Sequence, residues 1–219
     1  VKKTYRKQYF RALAQYIEVR FDMSASDAAA LTAALKEALG TDVTMHTAEA
    51  YAEKLRAFLP RHQAENGFQI ITGDAARAAA EYAAKTAYKE TDAATYQAME
   101  ALVHNLNTMN SRAGAQVPFS SLNYGTDTSP EGSPEGRMAV HNLLRATEAG
   151  LGDGETPIFP VQIFKVKEGV NYNEGDPNYD LFRHALRCSA KRLFPNFSFL
   201  DAPFNLQYYK PGDYNTEVA

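Results

Sequence analysis

The side chains best suited to covalent or metal chemistry are one cysteine and five histidines. Cys188 falls inside a predicted helix, on its apolar side and away from the helix N-terminus that would lower a thiol pKa, so we expect a buried structural thiol. The histidines match no His-Glu-x-x-His or comparable ligand spacing. They are His46, His62, His104, His141 and His184. We therefore predict no catalytic residue and no metal site within the chain.

Two polar segments could instead bind a ligand, and they flank one predicted strand. The first offers amide, hydroxyl and guanidinium donors, and its glycine would let a ligand approach the backbone. Its candidate substrate-binding residues are Asn110, Ser111, Arg112 and Gln116. An ordinary polar turn is the alternative interpretation of this segment.

The second segment follows the strand and leads into a helix, where free amides and the helix dipole favour an anion such as phosphate. The candidate phosphate-binding residues are Gly125, Thr126, Thr128 and Ser129. The carboxylates of Asp127, Glu131 and Glu135 would repel a triphosphate unless a divalent cation bridged them. Simple helix capping is therefore the alternative.

Helical periodicity dominates residues 3–109. Ser24 or Ser26 should cap a helix that Gly40 ends, and Pro60 should end the next helix because proline lacks the amide that would continue it. Asp74 is expected to begin an alanine-rich helix reaching about residue 89, and Asp92 a separate helix reaching residue 109.

Strand and helix signals alternate after residue 110. We predict strands at 116–124, 158–166 and 197–200. One intervening helix should be capped by Ser133 and the other by Asp176 with Pro177 at its first position. This alternation indicates an α/β fold with parallel strands, organised as a helical segment at 1–109 and an α/β segment at 110–219.

Composition narrows the class of partner. The 219 residues include 45% hydrophobic types, enough for a sizeable core, and 23 basic against 26 acidic residues give a net charge of −3. That balance favours a small molecule or protein over a nucleic-acid polymer. No apolar run has the length of a membrane span, so we expect a cytoplasmic protein. Both chain ends look cut from a longer sequence.

Longer motifs carry a resemblance to a known family. Residues 107–129, read as NTMNSRAGAQVPFSSLNYGTDTS, resemble the class III, oxygen-sensitive ribonucleoside-triphosphate reductases. Further similar motifs follow in the family's order. They are EAGLG at 148–152, TPIFP at 156–160, GDPNYD at 175–180 and SAKRLFP at 189–195. One departure is the tandem SPEG at 129–136, where the family pattern has one copy.

The resemblance implies an internal fragment of the catalytic subunit, contributing strands to a ten-stranded glycyl-radical-enzyme α/β barrel. It implies that residues 110–129, including Ser120, Ser121 and Asn123, face the nucleotide. The family's thiyl cysteine lies in a Gly-Cys-Arg motif, which Cys188 does not match. The fragment should therefore be inactive alone and hold no cofactor.

For the intact enzyme the resemblance implies ribonucleoside-triphosphate substrates, a homodimer, a radical-SAM activating protein, formate as reductant, a structural zinc and ATP or dNTP effectors. Two alternatives stay open. The chain could be a non-catalytic helical binding or scaffold module, or its helical half could form the enzyme's dimer or effector surface.

Overall fold

The computed structural model of the chain describes residues 1–66, 71–109 and 117–208. Within these ranges a helical first half precedes a small parallel sheet, which confirms the mixed α/β class. Contacts divide the chain into two compact units, Val1–Ala93 and Ala94–Ala219. The predicted boundary at 109/110 borders residues outside the described ranges.

The first unit contains α1 (Lys2–Arg20), α2 (Ala25–Leu39), α3 (Ala48–Glu65) and the start of α4 (Gly73–Thr108). The predicted start and end of α2 are confirmed. Ser24 Oγ accepts a hydrogen bond from the Asp27 amide, and Gly40 follows the last turn with φ of 80°. The buried core side chains include Tyr9, Leu13, Leu35, Leu55 and Leu59.

Two helix predictions were wrong, and burial explains both. Pro60 lies inside α3, where the fully buried Leu59 and the buried Gln63 keep the following turn packed despite the missing amide. The two helices expected around Asp74 and Asp92 form the single helix α4. Buried positions continue through the expected break at Ala87 and Thr91, so capping at Asp92 does not interrupt the helix.

The sheet comprises β1 (Ser121–Tyr124), β2 (Val161–Val166) and β3 (Asn196–Phe199), paired in parallel in that order. All three predicted strands are present. The first two are shorter than predicted at their N-terminal ends: residues 117–120 of the first and 158–160 of the second lie outside the regular strands.

Helices α5 (Ser133–Ala149) and α6 (Tyr179–Arg192) pack together on one face of the sheet, and the short α7 (Pro203–Leu206) follows β3. Leu144 and Leu181 contact Phe164 and Val166 in the buried core of this face. Parallel strands joined by right-handed crossovers place consecutive helices on the same side, which accounts for this layer.

The predicted caps of α5 and α6 were wrong. Gly132 is the N-cap of α5, while Ser133 is its first residue and Pro134 its second. The first copy of the SPEG repeat thus forms the turn, and the second starts the helix. Asn178 is the N-cap of α6. Asp176 instead accepts hydrogen bonds from the Tyr172 and Asn173 amides, so it stabilises the preceding turn.

Candidate functional site

A cleft of about 340 Å³ opens where β1 ends and α5 and α6 begin. Its walls include the Gly125–Asp127 loop, Arg137 from α5 and Asn178 from the start of α6. Loops at the C-terminal ends of parallel strands are where α/β proteins commonly bind ligands. Gly125 and Thr126, two of the predicted phosphate-binding residues, line this cleft.

Two buried asparagines hold the backbone of this loop. Asn171 Nδ2 donates to the carbonyl oxygens of Gly125 and Lys165, at 2.9 and 2.8 Å. Asn178 Nδ2 donates to the carbonyls of Gly125 and Asp127, at 3.2 and 2.9 Å. Gly125 has φ of 121°, and a Cβ atom there would lie 2.9 Å from the Lys165 carbonyl oxygen. A side chain at this position would thus strain the loop.

The Asp127 carboxylate already lies at the N-terminus of α5. Its Oδ1 accepts hydrogen bonds from the amide and hydroxyl of Ser129, at 2.9 and 2.7 Å. A Cβ atom on Gly132, the N-cap, would lie 2.9 Å from Asp127 Oδ2. A phosphate bound here would face this carboxylate, so the need for a bridging divalent cation, inferred from sequence, has a geometric basis.

The predicted phosphate ligands do not converge on one point in the described structure. Gly125 is buried, Thr126 is half-buried, and Thr128 and Ser129 are exposed. Only Gly125 and Thr126 of this set line the cleft. Their assignment as phosphate ligands stays a prediction.

Arg137 is the cleft's cation, and sequence reasoning missed it. Its guanidinium donates to Asp180 Oδ2 at 2.6 Å and to Asn178 Oδ1 at 2.8 Å. Burial opposes ionisation of Asp180, but hydrogen bonds and charges from Arg137 and His141 outweigh it and lower the pKa of the carboxyl. Arg137 is thus committed to an ion pair. The only available sequence signal was its position one turn into a helix.

The structure also brings together two of the scattered histidines. His141 Nδ1 lies 3.0 Å from His184 Nδ1, His141 Nε2 lies 3.2 Å from Asp180, and His184 Nε2 lies 3.7 Å from Glu148. Burial, reinforced by His141 and Arg187, lowers the pKa of His184. Across the described ranges, no group of three or more His, Cys, Asp or Glu side chains is arranged to hold a metal ion.

Cys188 is fully buried, as expected. Its Sγ lies 3.6 Å from the Leu144 carbonyl oxygen. Burial raises the pKa of the thiol to about 11, with the nearby charge of Glu148 adding to the effect. A protonated, enclosed thiol is a poor nucleophile and a poor metal ligand.

The predicted substrate residues divide into two groups. Asn110, Ser111, Arg112 and Gln116 lie outside the described residues. Ser121 and Asn123 are exposed on β1, and Ser120 immediately precedes the strand. The Ser120 hydroxyl is buried and has no hydrogen-bond partner in the part of the chain that the structure describes. Their role in substrate binding stays a prediction.

No helix within the described ranges is both long and apolar enough to cross a membrane.

Comparison with known proteins identifies the family. The sequence model for anaerobic ribonucleoside-triphosphate reductase matches residues 43–218, well over half of the chain. The reductase of that name from Escherichia coli K12 is 37% identical over 102 residues, which is 46% of this chain and 14% of the relative. The protein of the same name from Enterobacteria phage T4 is 40% identical over 111 residues, which is 50% of this chain and 18% of the relative.

The Salmonella typhimurium protein of the same name is 36% identical over 111 residues, or 50% of this chain. The chain spans only 14–18% of the length of these three relatives. The family match itself includes α3, α4 and all three strands. The chain belongs to the anaerobic ribonucleoside-triphosphate reductase family.

Proposed function

We propose that the protein containing this chain reduces ribonucleoside triphosphates to deoxyribonucleoside triphosphates by glycyl and thiyl radical chemistry, for DNA synthesis. The observation that carries this proposal is the family match over residues 43–218. Because that match includes two helices of the first half as well as the sheet, it does not favour a separate helical scaffold module.

The three strands are proposed to form part of the ten-stranded barrel. Their parallel order β1-β2-β3 supports this assignment, as does the layer that α5 and α6 form on one face of the sheet. Within the described ranges, β1 and β3 each pair with one strand. Each therefore has an edge at which a further barrel strand could pair.

The role proposed for this chain is to position nucleotide. Residues 110–129 would contribute to the nucleotide-facing surface, with Ser120, Ser121 and Asn123 near the substrate and Gly125, Thr126, Thr128 and Ser129 near its phosphates. The exposed amide of Asn123 supports this placement, as does the Ser120 hydroxyl, which has no hydrogen-bond partner among the described residues. Any phosphate beside Asp127 would need a divalent cation between the two anions.

Radical chemistry is assigned to residues outside these 219. The sequence contains no Gly-Cys-Arg triplet, and the one cysteine is enclosed with a raised pKa. One cysteine is also too few for a cysteine-clustered structural zinc. For the complete enzyme we propose a homodimer, a radical-SAM activating protein, formate as reductant, a zinc site and ATP or dNTP effectors, as in the family.

The sequence of the complete reading frame tests this function. We expect a Gly-Cys-Arg motif after residue 219 and a radical-glycine motif near the C-terminus. The complete protein, activated anaerobically, should convert a ribonucleoside triphosphate to its deoxy product, while the 219-residue chain should not. A complete reading frame without both motifs would exclude the proposed function.

A further inference from the structure

The sheet has a second face that α5 and α6 do not cover. Side chains alternate along a strand, and Phe164 and Val166 point into the helix-facing core. Lys165, which lies between them, must therefore point to the opposite face. The strand register extends this assignment to all three strands. The opposite face, here called the helix-free face because α5 and α6 lie on the other side, comprises Ser121, Asn123, Val161, Ile163, Lys165, Asn196 and Ser198.

The seven strand positions of the helix-free face carry polar, aliphatic and basic side chains but no acidic one. They offer hydroxyls, amides, two aliphatic side chains and one ammonium. Val161 and Ile163 are half-buried at its centre, whereas Ser121 and Asn123 are exposed. The face can thus contact an apolar surface and donate hydrogen bonds, and its single formal charge is positive.

Lys165 is the unusual member of this face. It is only 8% exposed, and in the described ranges it has no ion pair. Lys191 on α6 provides a contrast, since its side chain is 55% exposed and its Nζ lies 3.7 Å from Glu148. Burial of an ammonium without a counter-charge is unfavourable, and it lowers the pKa of Lys165. An anion placed beside Lys165 would offset this cost.

The described strand neighbours of Lys165 bring no charged side chain next to its ammonium. Ser198 is its direct partner on β3. On the other side, Gly125 follows Tyr124, the partner of Phe164, and contributes no side chain. Among the described residues that line the adjacent cleft, the basic side chain is Arg137, which is paired with Asp180, and Asp127 adds negative charge. Lys165 therefore offers a positive charge that the 125–129 loop lacks.

We propose that Lys165 binds the phosphate groups of a nucleotide that lies across the helix-free face. Ser198 and Asn123 would donate flanking hydrogen bonds, and Val161 and Ile163 would contact the ribose or base. This proposal rests on the proposed function, because it identifies the nucleotide-facing side of the strands with the helix-free face. A carboxylate from another protein segment is the competing partner of Lys165.

Titration calorimetry with CTP tests the site in the 219-residue chain. Replacement of Lys165 by Met should weaken CTP binding at least tenfold, while Lys165→Arg should retain most of it. Lys191→Met is the matched control and should leave the affinity unchanged. Circular dichroism of each variant establishes that the fold is retained. Equal CTP affinity of the parent chain and Lys165→Met, or no binding by the parent chain, would overturn the proposal.

Labelling with pyridoxal 5′-phosphate and borohydride, read by peptide mass spectrometry, provides a second test. Lys165 should react several-fold faster with this reagent than with pyridoxal, which lacks the phosphate, and Lys191 should show a smaller preference. CTP should protect Lys165 better than inorganic triphosphate does, if the nucleoside also contacts the face. Equal protection would restrict the site to phosphate and overturn the nucleotide assignment.

The reading-frame test and the Lys165 tests together distinguish this nucleotide site from the reductase function. A reading frame without the radical motifs, combined with a Lys165-dependent affinity for CTP, would remove the proposed function and keep the nucleotide site. Intact radical motifs, combined with a CTP affinity that does not depend on Lys165, would keep the proposed function and remove the nucleotide site. If Lys165→Met instead stabilises the chain and CTP does not bind, the proposal fails in favour of a carboxylate partner.

Discussion

The two compact units of the chain are stabilised by different kinds of contact. The first unit has an aromatic and aliphatic core, in which Tyr9 packs edge-to-face against Phe10 and Tyr51 with ring centroids 5.6 and 5.7 Å apart. Its charged groups lie at the surface, as in the cluster of Arg77 with Glu49, Glu53 and Glu81. Apolar burial therefore dominates this unit.

The second unit depends in addition on buried polar side chains that bind loop carbonyls. Asn171 and Asn178 hold the loop after β1. The half-buried Arg192 donates to the carbonyls of Glu148 and Ala149 in the last turn of α5 and to the carbonyl of Gly154 in the following loop. Helices satisfy most of their own backbone groups, whereas the loops of a parallel sheet leave buried carbonyls that need partners. The comparison shows that the polar side chains of the second unit bind carbonyls of loops and of a helix end.

The largest expected effect is the loss of a core side chain in the first unit. Leu55 is fully buried, so Leu55→Ala should lower the free energy of unfolding by about 2–5 kcal/mol through lost burial and a residual cavity. Urea denaturation followed by circular dichroism measures the loss. Val19→Ala, at a position 70% exposed, is the control and should change stability little. Similar losses for both variants would contradict a core dominated by apolar burial.

Removal of a buried amide tests the second unit. Asn178→Ala removes the amide donor to the Asp127 carbonyl and one of the two donors to the Gly125 carbonyl, and we expect a loss of about 1–3 kcal/mol. Hydrogen exchange should also show faster opening of residues 125–129. The exposed Asn173 provides the matched control, as Asn173→Ala. An Asn178→Ala chain with unchanged stability and exchange would show that the amide does not support the loop.

Acidification should destabilise the second unit through His184. Because the folded-state pKa of His184 lies below its usual value of 6.5, the folded chain binds fewer protons than the unfolded chain near that pH. Stability should therefore fall as the pH drops below about 6.5 and reach its full loss below the folded-state pKa. Charges facing the ring come from Arg187 on its own helix and from His141 and Glu148 on α5.

Unfolding measured between pH 7.5 and 5 tests this pH dependence. His184→Gln should flatten the profile, whereas the exposed His46→Gln should retain it. Asp180, whose pKa is lowered below 3.8, should contribute only at more acidic pH. An unchanged slope in His184→Gln would assign the effect to another group.

The smallest expected effect is at the surface ion pairs of the first unit. Arg77 contacts three glutamates, and all four side chains are substantially exposed. Solvent screens such pairs, so Arg77→Ala should destabilise the chain less than either buried substitution does, and 1 M salt should remove the difference. The exposed Lys54→Ala is the control. If Arg77→Ala lowered the free energy of unfolding as much as Leu55→Ala does, apolar burial would not dominate the stability of the first unit.

Sequence patterns predicted helices and strands correctly where neighbouring residues alone determine the backbone conformation. Ser24 and Gly40 bound α2 as expected, and the alternation after residue 110 predicted the strand and helix order. Local patterns failed where burial outweighs a breaker or a cap. Pro60 inside α3 and Asp92 inside α4 are the examples, since packing of the neighbouring buried residues overrides their local preference.

The candidate site was only partly predictable for the same reason. Sequence motifs pointed to residues 110–129, of which 110–116 lie outside the described structure. They did not identify Arg137, which joins the cleft only because α5 packs beside the start of α6. The contact of His141 with His184 spans 43 residues, a separation at which residue spacing carries no signal.

The sequence by itself determined the family, the α/β order and the absence of a reactive thiol, because these follow from motifs, periodicity and the single cysteine. Only the tertiary structure decided which face of the sheet is covered and where charges meet. Lys165 illustrates this division. Its place in a strand could be predicted, but its burial, with no ion pair among the described residues, depends on what the fold places around it.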